Sequence, residues 1–205
     1  LVVLVVLGIA LWLGFWDKPS TTAPLATLAL VGLLGTADDW LNARTGDGIS
    51  ATQKLLWQTV VAGVAAWQIQ DTCQIDQLDV PLVGVLDIDP IAFILIAAFA
   101  IVATSNAVNI TDGLDGLSGG TLIFAFTGYM VIAYTNTGQL DLAVLCALII
   151  GGIAAFLWFN VHPAQIFMGD SGSLALGATL AVTAVITGQV LLLPLIGLVF
   201  VLETG

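Results

Sequence analysis

Charge is the scarcest ingredient of this 205-residue chain: 8% of its residues are charged and 59% are hydrophobic. Soluble domains carry about a quarter charged residues, so the polar shell of a water-soluble globule cannot be built and that class is excluded. A mean hydropathy of +1.09 points instead to an integral membrane protein. Positive charge is scarcer still. Three basic residues face fourteen acidic ones, for a net charge of -11. A nucleic-acid binder needs a Lys/Arg-rich face, so nucleic acid is excluded as a partner. An enzyme of this charge that handled anions would need a divalent cation between its carboxylates and a phosphate. Cysteine is limited to Cys73 in a polar connection and Cys146 in an apolar run, which makes no disulfide framework. The opening residues have no Met, no basic stretch and no small-residue cleavage signal, which excludes a signal peptide. The chain opens at Leu1 inside a hydrophobic run and ends at Glu203-Thr204-Gly205 directly after another. Both ends read as cut, and a piece of a longer protein is expected.

What the chain has in abundance is apolar runs of membrane length. A hydrocarbon core takes roughly 17–25 helical residues. Eight candidate spans fit to within a few residues: 1–16, 21–37, 53–69, 91–108, 118–134, 141–159, 173–187 and 190–203. The last two are short and separated only by Gly188-Gln189. The expected fold class is all-α, a polytopic transmembrane helix bundle forming one integral membrane domain over 1–205. Connections then alternate between two sides. Residues 17–20, 70–90, 135–138 and 188–189 fall on one, and 38–52, 109–118 and 160–172 on the other. Every polar cluster of chemical interest lies on that second side, an outcome that an error of one span would destroy. Arg44 and Lys54 there, against Lys18 opposite, orient it to the cytoplasm by the positive-inside rule. The acidic segment 70–90 reads as a solvated connection, with a loose alternation from Leu78 to Leu86 that suits a short hairpin.

The first cluster, Gly35-Thr36-Ala37-Asp38-Asp39-Trp40, sits where a span reaches the interface. Adjacent carboxylates repel, which raises one pKa unless a cation lies beside them. Acids at a helix C-terminus are also unfavourable, so the pair is either a polar stop or a cation site. The second cluster runs from Asn106 to Leu117. Its two Asp-Gly steps mark turns, yet Asn106, Asn109, Asp112 and Asp115 recur every third residue and share a broad face in a helical segment. Amides beside carboxylates suit the edge of a polar ring or metal-bound water. In the third cluster, Phe159 to Ser173, Asp170 opens a span. It serves there as a helix N-cap or as a metal ligand, with helix-start N–H groups open to a phosphate. His162, the sole histidine, reads as structural, and Phe167 as either packing or a stacking platform. Lys54 lies near a helix start, where a cation is misplaced; it either snorkels to lipid headgroups or meets an anionic partner.

Carboxylates with glycine-rich turns suit Mg2+, which prefers oxygen ligands and bridges substrate phosphates. The residues thus point to metal-assisted phosphoryl chemistry at a lipid–water boundary. Ala37-Asp38-Asp39, the stretch Asn106 to Leu117, and Phe167 to Gly177 also resemble, in order and spacing, the motifs of the polyprenyl-phosphate N-acetylhexosamine-1-phosphate transferases. That resemblance runs from about residue 30 to the end. Segments 49–54 and 109–112 lean toward the branch whose donor is UDP-MurNAc-pentapeptide.

The resemblance implies a multi-span, Mg2+-dependent enzyme of the bacterial plasma membrane with a cytoplasmic active site. Such an enzyme transfers phospho-MurNAc-pentapeptide from UDP-MurNAc-pentapeptide to undecaprenyl phosphate, giving lipid I and UMP for peptidoglycan. It puts Asp38 and Asp39 on the family's acidic pair and Asp170 on its Mg2+ ligand, the three in catalytic positions. Lys54, Asn106, Asn109, Asp112, Asp115 and Phe167 fall on substrate-binding positions. The partners implied are the two substrates, membrane lipid and, as a homodimer, a second copy of the chain. The family's earliest span and late His-rich loop are not found here, so this chain alone is expected to be weakly active or inactive. Direct attack by the lipid phosphate and a covalent route through Asp38 or Asp39 both remain open. One alternative is a sister transferase taking UDP-GlcNAc. Another is a cation transporter, which would carry acids mid-span, whereas 91–108 and 173–187 have none and 141–159 has only Asp141 at one end.

Overall fold

The structure is a computed structural model that describes residues 2–73, 77–80, 84–135 and 139–204. Among these the chain is almost entirely helical, as expected. Helix α1 (Val2–Trp12) is closed by Gly14 in a left-handed conformation and a 3-10 turn at Phe15–Asp17. Helix α2 (Pro19–Thr45) opens on a proline at its first position, where the missing N–H costs nothing. It ends at Gly46, also left-handed, whose N–H bonds the Asn42 carbonyl at 2.9 Å. Helix α3 (Ala51–Cys73) leads to an antiparallel hairpin, β1 (Gln77–Val80) and β2 (Gly84–Asp87), with Gln77 opposite Asp87. The acidic segment is therefore more than a solvated connection. Helix α4 (Pro90–Thr111) is capped by Asp89, whose carboxylate accepts from the N–H groups of Ile91 and Ala92. Helices α5 (Leu117–Thr135), α6 (Leu140–Asn160) and α7 (Gly169–Ile186) follow.

Among the described residues, five helices are long and apolar enough to cross a membrane: α2, α4, α5, α6 and α7. This is an integral membrane protein. Helix α3 has the length, at 23 residues, but is less apolar. The expected span 190–203 is broken. It becomes a 3-10 turn, a short α8 (Leu193–Ile196) and α9 (Leu198–Thr204), because Pro194 donates no N–H and Gly197 closes α8 on the Leu193 carbonyl at 2.8 Å. A second correction concerns α2. It does not stop at the interface near residue 37 but continues two turns further, so Asp38 and Asp39 lie inside the helix rather than at its negative end.

At the centre of the bundle is α7. Every residue from Gly172 to Ile186 is buried in it, and it packs against α2 on one side and α4 on the other. Small residues permit that approach, as they do between helices in lipid. A methyl group at Gly177 would lie 2.8 Å from the Thr104 carbonyl, and the Ser105 hydroxyl donates to the Leu174 carbonyl at 2.8 Å. The alternation of connections holds. At one end Lys18 pairs with Asp141 at 3.1 Å, Gln139 donates to the Ile186 carbonyl, and the Tyr129 hydroxyl donates to the Gln189 carbonyl. The other end gathers the connections at 46–50, 112–116 and 161–168. Residues 74–76, 81–83 and 136–138, which belong to the expected connections on the first side, lie outside the described residues.

Candidate active site

Three distant stretches meet at that second end. The Lys54 ammonium, in the first turn of α3, lies 2.7 Å from Asp38 Oδ2 on α2 and 2.6 Å from Asp170 Oδ2 on α7. Asp38 is buried, and its Oδ1 accepts the backbone N–H of Ile49 in the α2–α3 connection. The lysine that was misplaced by its own helix thus finds two anionic partners. One carboxylate oxygen from each of Asp38, Asp39 and Asp170 lies within 4.8 Å of the others. Three carboxylates against one ammonium leave two negative charges, and an all-oxygen donor set of that charge fits a divalent cation of the Mg2+ class.

Asp39 does something the sequence did not indicate. Its Oδ1 accepts the backbone N–H of Asp170 at 3.2 Å and its Oδ2 that of Ser171 at 3.0 Å. It caps α7 from another helix, placing a negative charge on the positive end of the macrodipole. Asp170 is therefore not the N-cap. It sits one residue into α7, and the cap position itself, Met168, offers no side-chain bond. Asp39 can come this close because Gly169, at φ 67°, has no Cβ; a methyl there would lie 2.8 Å from Asp39 Oδ2. Gly35, a turn earlier on α2, permits a similar approach. A methyl on it would collide with the Asp170 carbonyl and stand 2.5 Å from the Ser171 nitrogen.

The remaining expected residues divide. Asn109, at the end of α4, donates to Asp170 Oδ1 and to the Ser173 hydroxyl, both at 2.8 Å, and so joins the core of the site. Asp112 caps the end of α4. Burial pushes its carboxyl up to about 6, and the charges of Asp170 and Asp39 act in the same direction. Asp115 stands apart. Its Oδ2 takes the Ala164 N–H at 3.1 Å and His162 Nδ1 at 2.9 Å, and that amide, with the histidine, holds its carboxyl below the ordinary range. It latches the α4–α5 loop to the α6–α7 loop. Asn160 makes a second latch there, accepting from the Gly116 N–H and donating to the Ile166 carbonyl. Asn106 lies one turn deeper, with Gln58 and Val102 as partners. Phe167 is 66% exposed. It borders an apolar cavity of about 770 Å3 lined also by Leu4, Leu33, Phe156, Thr36 and Ser171.

Sequence reasoning missed Ser173, Gly35, Asn160 and Gln58. Gln58 had a signal, four residues after Lys54 and so on the same helical face; Gly35 had none, since its role is an approach between helices.

A bundle of membrane-length helices with a carboxylate–lysine cluster at one end defines the class: a polytopic membrane protein with a charged site at one end of its bundle. Residues 21–188 match Glycosyl transferase family 4, and the chain belongs to that family. Among curated relatives, it is 39% identical over 211 residues to a phospho-N-acetylmuramoyl-pentapeptide-transferase of Anoxybacillus flavithermus, covering 100% of this chain and 64% of the relative. Relatives with the same name in Chloroflexus aurantiacus and Neisseria gonorrhoeae are 42% and 36% identical, covering 99% and 94% of this chain and 58% and 59% of their own lengths. The chain thus spans about three-fifths of the length of these relatives.

Proposed function

We infer that the protein transfers phospho-MurNAc-pentapeptide from UDP-MurNAc-pentapeptide to undecaprenyl phosphate, forming lipid I and UMP, with its site on the cytoplasmic face of a bacterial plasma membrane. The observation that carries this reading is the convergence of Asp38, Lys54 and Asp170 from three helices within 2.7 Å contacts, in a chain whose relatives bear that transferase's name. A diphosphate donor and a phosphate acceptor are both anions, and three acids alone would repel them. Asp170, with Asp38 and Asp39 beside it, would hold Mg2+, which supplies charge neutralisation on the diphosphate. Lys54 would counter the acceptor phosphate. The apolar cavity, which Thr36 and Ser171 also line, suits the long hydrocarbon tail of such an acceptor, and Phe167 would stack on the uracil ring.

The geometry favours direct attack. Both oxygens of Asp38, Asp39 and Asp170 already accept hydrogen bonds from the protein, which fits groups that orient better than it fits a free nucleophile. A phosphate monoester has a second pKa of about 6 and is mostly dianionic at neutral pH, so its oxygen attacks without a base. The new bond joins that oxygen to the sugar-linked phosphorus, and the bond to the UMP phosphate breaks. Asp38 and Lys54 would place the acceptor, while Asn109 and the Asp39-capped start of α7 keep Asp170 oriented.

The test is UMP release by the full chain. It should require undecaprenyl phosphate and Mg2+ together and disappear in Asp170→Ala. UMP released by donor alone, with a trapped phospho-enzyme, would replace the direct route with the covalent one. Turnover of UDP-GlcNAc in preference to UDP-MurNAc-pentapeptide would move the protein to the sister transferases.

A further inference from the structure

Asp170 is held from two sides, by Lys54 of α3 on one oxygen and by Asn109 of α4 on the other, at 2.6 and 2.8 Å. What fixes α3 against α4 lies one turn deeper. Asn106 Nδ2 donates to Gln58 Oε1 at 2.7 Å and to the Val102 carbonyl at 2.8 Å. Gln58 follows Lys54 by four residues on α3 and Asn106 precedes Asn109 by three on α4, the two spacings that put side chains on one helical face. The contacts therefore close a ring: Asp170 to Lys54, along α3 to Gln58, across to Asn106, along α4 to Asn109, and back to Asp170.

Gln58 is 2% exposed, and its Nε2 is buried with no partner among the described residues. A side chain kept only for packing would not bury an unpaired amide donor, since that desolvation works against the fold. Apolar residues would fill the same space at lower cost. The buried, unpaired donor thus costs stability, and packing alone does not account for it.

We propose that Gln58 is a positioning residue, which through Asn106 sets the α3–α4 register that aims Lys54 and Asn109 at Asp170. The proposal rests on the transferase reading, and its test separates the two. In Q58L/N106L both amides are replaced by apolar groups, so the melting temperature holds or rises. kcat falls about 10- to 100-fold, the usual effect of losing an outer-shell partner, while KM for the donor stays within about threefold. The exchange variant Q58N/N106Q keeps the summed length of the two amides and recovers kcat to within about threefold of the parent. The proposal is overturned if Q58L/N106L keeps full kcat, or if kcat and melting temperature fall together and the exchange recovers neither. If neither this chain nor the longer protein it is expected to belong to turns over UDP-MurNAc-pentapeptide, the transferase reading falls instead. Gln58 is then judged by Mn2+ affinity, which should weaken about 10-fold in Q58L/N106L and return in the exchange variant; unchanged affinity would remove the role.

Discussion

Gly35→Ala is the sharpest perturbation of the site that touches none of its charged groups. A methyl on Gly35 would stand 2.5 Å from the Ser171 nitrogen and collide with the Asp170 carbonyl, whereas ordinary contact begins at 3.4 Å. Those neighbours are backbone and cannot rotate away, so α2 and α7 must separate by at least about 0.9 Å, the difference between the two distances. Asp39 spans that same gap. Its bonds of 3.2 and 3.0 Å to α7 would stretch to about 4 Å, past hydrogen-bonding range. Losing a cap costs about 1 kcal/mol and overpacking a further 1–3 kcal/mol or so. A displacement of that order at a reacting centre can cost about 100-fold in rate. The control is Gly151→Ala on α6, where a methyl meets nothing within 4 Å; replacing a helical glycine there gains roughly 0.5–1 kcal/mol. Thermal melts in mild detergent and UMP release read both variants. Gly35→Ala with a melting temperature and turnover indistinguishable from the control would refute the close approach of α2 and α7.

Three further outcomes follow from the same geometry. Lys54→Met leaves Asp38 and Asp170 facing each other without a cation, and chemical denaturation should show a loss of at least about 2 kcal/mol with turnover abolished; a silent substitution would mean the ion pairs are not formed. Asp39→Asn keeps one acceptor oxygen but turns the other end into a donor facing the Ser171 N–H, so hydrogen exchange at the start of α7 should accelerate while the far end of α7 is unchanged. Asp112 is raised in the folded chain from 3.8 to about 6, so it favours folding below pH 4 and that benefit disappears as pH rises through 6. Stability should therefore drop between pH 4 and 7, by on the order of 1 kcal/mol once solvent screening of this half-buried group is allowed for; Asp112→Asn should flatten that stretch of the profile, and an unchanged profile would show that burial does not perturb it.

Composition and hydropathy alone indicated the solvent, the all-helical class and the end of the bundle where the polar clusters gather. Eight per cent charge cannot shield a globule from water, and runs of membrane length can satisfy their backbone in lipid only as helices. Alternating those helices sends residues 38–52, 109–118 and 160–172 to one side whatever their packing. Which groups touch emerged only from the packing in three dimensions. Sequence could mark Asp39 as acidic, but whether it binds a cation or caps a helix depends on α7 arriving 131 residues later with its N–H groups exposed. The break near Gly197 was likewise hidden, because hydropathy sums side chains and does not see the missing N–H of Pro194. The contact that Gln58 makes and the close approach at Gly35 were illegible for one common reason. Their significance is a distance between two helices, and a one-dimensional pattern records spacing along a helix but not the separation across it.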